Sequence, residues 1–207
     1  MKIKIHYSLA LIFFVFIFTG FYLEFLIFFL IIFVHEAAHY FMARAFGIKI
    51  THCTFTILGG ILKLEMGRIS RFKQLLVFSA GILINFLILF LSRFLPNIYL
   101  KKLLYNYNLL LIIFNLLPIH PLDGFQIFQV ILSFFNSPFK EFRFASLTSY
   151  LMLGTLFVFV FINRFGLAAW IILAFLLYHN VNLGINKTNL VLKKIINNYR
   201  YQQVKTT

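Results

Sequence analysis

Phe25-Leu26-Ile27-Phe28-Phe29-Leu30-Ile31-Ile32-Phe33-Val34-His35-Glu36-Ala37-Ala38-His39 is the stretch on which the reading of this chain turns. Ten apolar residues lead without a break into two histidines four apart. Residues i and i+4 share one face of a helix, so both imidazoles can bind a single metal ion, and Glu36 between them can handle a proton. In a soluble protein this would point to a zinc protease. Here the five residues lie in a run apolar enough to sit within a bilayer, where ionisable side chains are costly and serve function.

The rest of the composition agrees with that solvent. Of 207 residues, 62% are hydrophobic and thirty are phenylalanine. No soluble domain of this size hides so much apolar surface, so the expected class is an all-α polytopic membrane protein. Nineteen Lys and Arg against five acids give +14. In a soluble protein that excess would raise nucleic-acid binding. Here the basic residues cluster between apolar runs, as topology signals do, and no nucleic-acid partner is expected. The single cysteine, Cys53, excludes an internal disulfide.

A spanning helix takes roughly 20 apolar residues. Six stretches qualify, near 5–23, 25–43, 75–95, 103–119, 146–162 and 165–183. Together they predict a six-span domain over 1–185 and a cytoplasmic tail over 186–207. The first stretch lacks a small-residue cleavage site and is expected to be retained. Between the second and third spans, Lys49 to Leu58 is rich in β-branched residues, Gly59-Gly60 punctuates it, and Ile61 to Glu65 can return. A short membrane-associated β segment is expected there. If the N-terminus is cytoplasmic, the inner segments hold fifteen basic residues and the outer loops only Arg93, Lys101, Lys102 and Arg164. That bias predicts both termini in the cytoplasm. Leu190, Val191, Ile195 and Ile196 predict a short amphipathic helix in the tail.

His35 lies about 15 Å below the outer end of the second span, and His39 one turn deeper. Two imidazoles do not complete a catalytic zinc site, which takes three protein ligands and leaves a position for water. Few acids remain. Asp123 falls just beyond the inner end of the fourth span, in Asn115-Leu116-Leu117-Pro118-Ile119-His120-Pro121-Leu122-Asp123-Gly124. Topology carries it to the depth of His39, and the two prolines break the helix there. Asp123 is the expected third ligand to one Zn2+ ion, with His120, Glu141 and Glu65 as competitors. Glu141, between Lys140 and Arg143, reads as a solvated loop acid, and His120 as a residue of the surface or of the ligands' surroundings.

His35-Glu36-x-x-His39 on the second span, with Asn115-x-x-Pro118-x-x-Pro121-x-Asp123-Gly124 after the fourth, resembles the site-2 protease family of intramembrane zinc metalloproteases. The likeness covers roughly residues 1–185. Six spans and no PDZ domain are most similar to the stage IV sporulation protein FB branch. The resemblance implies that Glu36 is the catalytic base and that Leu58-Gly59-Gly60 forms a turn where a β segment engages substrate. It also implies that Asn85 and Asn115 position substrate; Asn85 lies in Ser79-Ala80-Gly81-Ile82-Leu83-Ile84-Asn85, where Ile82 replaces the usual proline. Ala80-Gly81 alone would read as close helix packing. A membrane-associated protein substrate, inhibitory membrane partners and a bacterial cell membrane follow from the same likeness. The sporulation enzymes usually add a C-terminal nucleotide-sensing domain, and none is expected within residues 186–207.

Three other readings compete, one of them a metal-free membrane chaperone that zinc analysis would separate. A prenyl-protein-type zinc protease would draw its third ligand from a downstream glutamate, and only Glu65 and Glu141 are available, neither on an expected span. A membrane metal transporter would favour ionisable residues along a pathway and repeated halves, neither of which is evident.

Overall fold

The computed structural model describes residues 2–5, 22–48, 50–56, 59–64, 69–186 and 192. In chain order the elements are β1 (Lys2–Ile5), α1 (Tyr22–Ala45), β2 (Ile50–Thr56), β3 (Gly59–Leu64), α2 (Arg71–Ser92), α3 (Ile98–Leu116), α4 (Asp123–Phe135), α5 (Pro138–Ile162) and α6 (Leu167–Ile185). Four helices, α1, α2, α5 and α6, are long and apolar enough to cross a membrane. Helix α3 is 19 residues long, but Lys101, Lys102, Asn106, Asn108 and Asn115 make it more polar than those four. The expected first span, 5–23, lies almost wholly outside the described residues, as does the expected amphipathic tail helix apart from Leu192. Helix α4 was not anticipated. Its thirteen residues are too few to span, and it directly follows the proline turn.

Burial is inverted relative to a soluble protein. Large apolar side chains such as Phe86, Phe90, Phe157, Phe161 and Ile171 are exposed, whereas His35, His39, Asn85, Asn108, Glu141, Ser149 and Asn180 are buried. A lipid-facing surface produces this pattern, because only the protein interior offers partners to polar groups.

The described residues fall into two compact units, one from 1–66 with 79–114 and the other from 67–78 with 115–207. In the first, α1 buries Ile31, His35, His39 and Ala43, a stripe at four-residue intervals. The helix stops at Gly47, whose φ of 68° suits a residue without a Cβ. Gly47 N–H donates to the Arg44 carbonyl and Ile48 N–H to the Ala43 carbonyl, both at 2.9 Å. This is a Schellman closure, and the residues at its two ends, Ile48 and Ala43, are both buried. The chain then enters a three-stranded sheet of order β1-β2-β3. Strand β1 pairs parallel with β2, Lys2 opposite His52, and β2 pairs antiparallel with β3, Thr56 opposite Gly59, with an irregularity between Ile50 and His52. Helix α1 packs against β2 and β3. Tyr99 O–H on α3 donates to Glu24 on α1, and Phe28 meets Tyr107 edge-on at 5.3 Å.

The second unit is built on α4, α5 and α6 around Phe125, Phe142, Ala145 and Leu183. Helix α5 starts at Pro138, eight residues before the expected fifth span, so Glu141 falls in its first turn. The expectation of a solvated loop acid is corrected here: Glu141 is 1% exposed. Gly124 is required where it stands, since a Cβ would lie 2.3 Å from the Leu116 carbonyl oxygen, a backbone atom that cannot move aside. Between Leu116 and Gly124 the chain therefore doubles back tightly on itself.

Side chains from α5 and α6 pin that turn. His120 N–H donates to Ser149 Oγ at 3.1 Å, and Asn180 Nδ2 donates to the His120 carbonyl at 2.7 Å. Ser149 O–H closes the ring by donating to Asn180 Oδ1, and Tyr150 O–H donates to the Asn180 carbonyl at 2.9 Å. With both backbone groups of His120 satisfied by side chains, a non-helical segment is tolerated beside apolar helices. The His120 imidazole is held at about 4, below its usual 6.5, by burial and by neighbouring His179.

Two measurements test this turn. Asn180→Leu leaves the His120 carbonyl without that donor and should cost about 1–3 kcal/mol in detergent unfolding experiments. A depressed histidine pKa means that the unfolded chain binds more protons between about pH 4 and 6.5. Stability should be full above about pH 6.5 and fall as the pH drops toward 4, by at most about 3 kcal/mol from this group. His120→Gln should flatten that part of the pH–stability curve relative to wild type.

Candidate metal centre

The centre starts from the buried stripe of α1. Its four-residue spacing puts His35 and His39 on the same inward face, one turn apart, at 4% and 5% exposure. Their rings stand edge-on with centroids 4.9 Å apart, and their Nε2 atoms approach to 3.2 Å. One Nε2–H donating to the other would give that distance. Two nitrogens on one tetrahedral ion, at about 2.0–2.1 Å each, would stand about 3.4 Å apart. The pair as folded thus requires almost no rearrangement to share a cation.

Helix α2 makes room for it. A Cβ on Gly81 would lie 2.3 Å from His39 Nε2 and 2.5 Å from His35 Nε2 and Cε1. The imidazoles therefore rest directly on bare backbone. One turn further along the same face, Asn85 is fully buried, with its side-chain amide nitrogen 3.1 Å from His35 Nδ1 and its Oδ1 without a hydrogen-bond partner among the described residues. Two convergent imidazoles, a cradle that any Cβ would fill and a polar contact behind one ring fit a bound divalent metal. Glu36 follows His35 on α1 and is half-buried.

The structure thus brings His35, His39, Gly81 and Asn85 together in the first unit. Asn85, expected at the substrate, stands behind His35. Gly59 and Gly60 open strand β3, opposite Thr56 and Phe55. Asp123 and Asn115 belong to the second unit, both half-buried: Asp123 is the first residue of α4, and Asn115 is the penultimate residue of α3. Of the competing ligands, Glu65 is outside the described residues, Glu141 is enclosed in α5, and His120 sits in the pinned turn. Ser149 and Asn180 were not found by sequence reasoning, because only tertiary folding brings α5 and α6 to the turn. The role of Gly81 did leave a trace, since it precedes Asn85 by one helical turn on the same face.

Gly81→Ala separates the site from the fold. Alanine favours a helix interior over glycine by about 0.5–1 kcal/mol, so the helix itself should persist. The new methyl group should displace both rings. Zinc affinity, measured by chelator competition, should fall roughly tenfold or more while helical content is retained.

Comparison with known proteins places this geometry. The model of peptidase family M50 matches residues 23–100 and 96–159, which include all of α1 but its first residue, strands β2 and β3, and the proline turn. A zinc metalloprotease of Methanocaldococcus jannaschii is 33% identical over 117 residues, 53% of this chain and 34% of that protein, so the chain spans about a third of that relative's length. The solved structure of a site-2 protease from Methanocaldococcus jannaschii superposes with a TM-score of 0.68 at 25% identity, covering 87% of this chain and 89% of that one. The chain is a membrane protein and belongs to peptidase family M50, the site-2 proteases.

Proposed function

We propose that the chain is an intramembrane zinc metalloprotease that hydrolyses a peptide bond in or next to a membrane segment of a substrate protein. The observation that carries this reading is the convergence of two buried imidazoles, Nε2 to Nε2 at 3.2 Å, on a helix apolar enough to cross a membrane. Asp123 is proposed as the third ligand to a single ion. Its support is the Pro118-x-x-Pro121-x-Asp123-Gly124 motif and its place at the start of α4, directly after a turn held by Ser149 and Asn180. Zinc in such a site polarises a carbonyl and lowers the pKa of a coordinated water toward neutrality.

The protein's own residues supply the remaining chemistry. Glu36, adjacent to His35 on α1, takes the proton of the attacking water and passes it to the leaving amide nitrogen. A helical substrate hides its carbonyls in its own hydrogen bonds and must unwind first. Strand β3 lies at one edge of the sheet. An extended substrate segment added beside it would gain main-chain hydrogen bonds that tolerate sequence variation, and Gly59 and Gly60 would let its backbone come close. Asn115 is proposed to help place that segment. Both termini are proposed to be cytoplasmic, from the distribution of basic residues. Assignment to the sporulation branch, with a membrane-associated pro-sigma factor as substrate and inhibitory membrane partners in a bacterial cell membrane, rests on the motif likeness and the expected six spans.

Purified protein with a membrane-tethered substrate tests the chemistry. Glu36→Gln should keep its zinc and lose about 10²- to 10⁴-fold in cleavage rate; wild-type cleavage by this variant would remove Glu36 as the base. Asp123→Ala should lose zinc by elemental analysis, and full retention would move the third ligand to His120 or Glu141.

A further inference from the structure

Resting on the metal reading above, we infer that Asn85 is a positioning residue that selects the tautomer of His35, holding the proton on Nδ1 so that Nε2 can ligate the ion. The argument begins with burial. Asn85 is 0% exposed and its amide is 3.1 Å from His35 Nδ1 across the α1–α2 contact. An amide presents either a donor or an acceptor end, and the two orientations have opposite consequences for the ring.

With NH2 toward His35, the amide donates to a bare Nδ1. The ring proton then sits on Nε2, pointed at His39, and leaves no lone pair for a metal. That orientation also strands Oδ1, which is buried without a hydrogen-bond partner among the described residues. Half a turn of the amide about its terminal torsion brings Oδ1 to His35. Nδ1–H now donates to it, and the Nε2 lone pair faces the same space as that of His39. The ring stays neutral, with one proton given up at Nε2 and one taken at Nδ1.

Ligating histidines generally donate their other N–H to an oxygen acceptor, which fixes the ring and raises its basicity. Position 85 offers such an acceptor at the correct nitrogen. Its spacing from Gly81 is part of the same device. One turn of α2 provides first the bare backbone under both rings and then the amide behind one of them.

The test uses the full chain in detergent, with Zn2+ affinity measured by chelator competition and the Co2+-substituted absorption spectrum recorded alongside. Asn85→Leu fills similar volume but accepts no hydrogen bond, and should bind Zn2+ roughly 10- to 100-fold more weakly and alter the Co2+ spectrum. Asn85→Asp restores an acceptor and should bind at least as tightly as wild type. A merely structural role for Asn85 predicts the reverse order, because a buried carboxylate disturbs an apolar bundle more than leucine does. Equal affinity of Asn85→Leu and wild type would overturn the inference, as would loss of zinc by Asn85→Asp to the level of Asn85→Leu. If Asn85→Leu does not accumulate, Asn85→Ala is read in the same way. His35→Ala serves as the reference for the metal reading itself. Wild type binding no more tightly than His35→Ala would defeat that reading and this inference together, whereas normal wild-type binding with an indifferent Asn85→Leu defeats the inference alone.

Discussion

A polar group surrounded by apolar helices has no water to turn to, and much of this structure follows from that constraint. A buried amide, hydroxyl or imidazole is stabilised when another group of the chain answers it, so polar residues gather where several elements can serve one another. In the first unit the gathering is His35, His39 and Asn85 over the bare backbone at Gly81. In the second it is Ser149, Asn180 and both backbone groups of His120. Neither group is large, yet each fixes a piece of chain that apolar packing alone would leave free to slide. Leucine and phenylalanine fit against lipid nearly as well as against each other, so they stabilise contact without specifying register.

The two clusters have different tasks. The first orients two rings that face a common point. The second holds a non-helical turn at a fixed place, so that the following helix starts on an aspartate. A turn like this needs both its N–H and its C=O satisfied from outside, and Ser149 and Asn180 do so from two different helices. This arrangement makes the start of α4 a property of how α5 and α6 pack.

Legibility from sequence divided along the same line. The apolar class, the pairing of His35 with His39 and the break at Pro118 and Pro121 were local features, visible as composition and spacing. The strand-like character of 49–58 and 61–65 was visible in β-branched residues and overlaps β2 and β3, but Gly59 and Gly60, expected as a turn, open β3 instead. Helix α4 was not, because thirteen residues after a proline turn look like a loop when only spanning lengths are counted. Glu141 was misread for a related reason: its charged neighbours suggested solvent, but α5 begins at Pro138 and turns it inward. Ser149 and Asn180, 31 residues apart, carried no signal at all, since an isolated serine or asparagine in an apolar helix can be mere composition. Partnerships across helices are written in the tertiary structure, and one sequence read alone offers no covariation to reveal them.

The contact at Gly81 makes the spacing of two helices and the geometry of the imidazoles one mechanical variable. With no side chain between the α2 backbone and the rings of α1, nothing compressible absorbs a shift. A bilayer that is too thin or too thick for these helices is accommodated by tilt. Tilt of α2 against α1 would press on the rings or release them directly. The thickness of the host membrane would thereby become a physical input to how well these two imidazoles are aligned, and lipid composition could act on them without touching them.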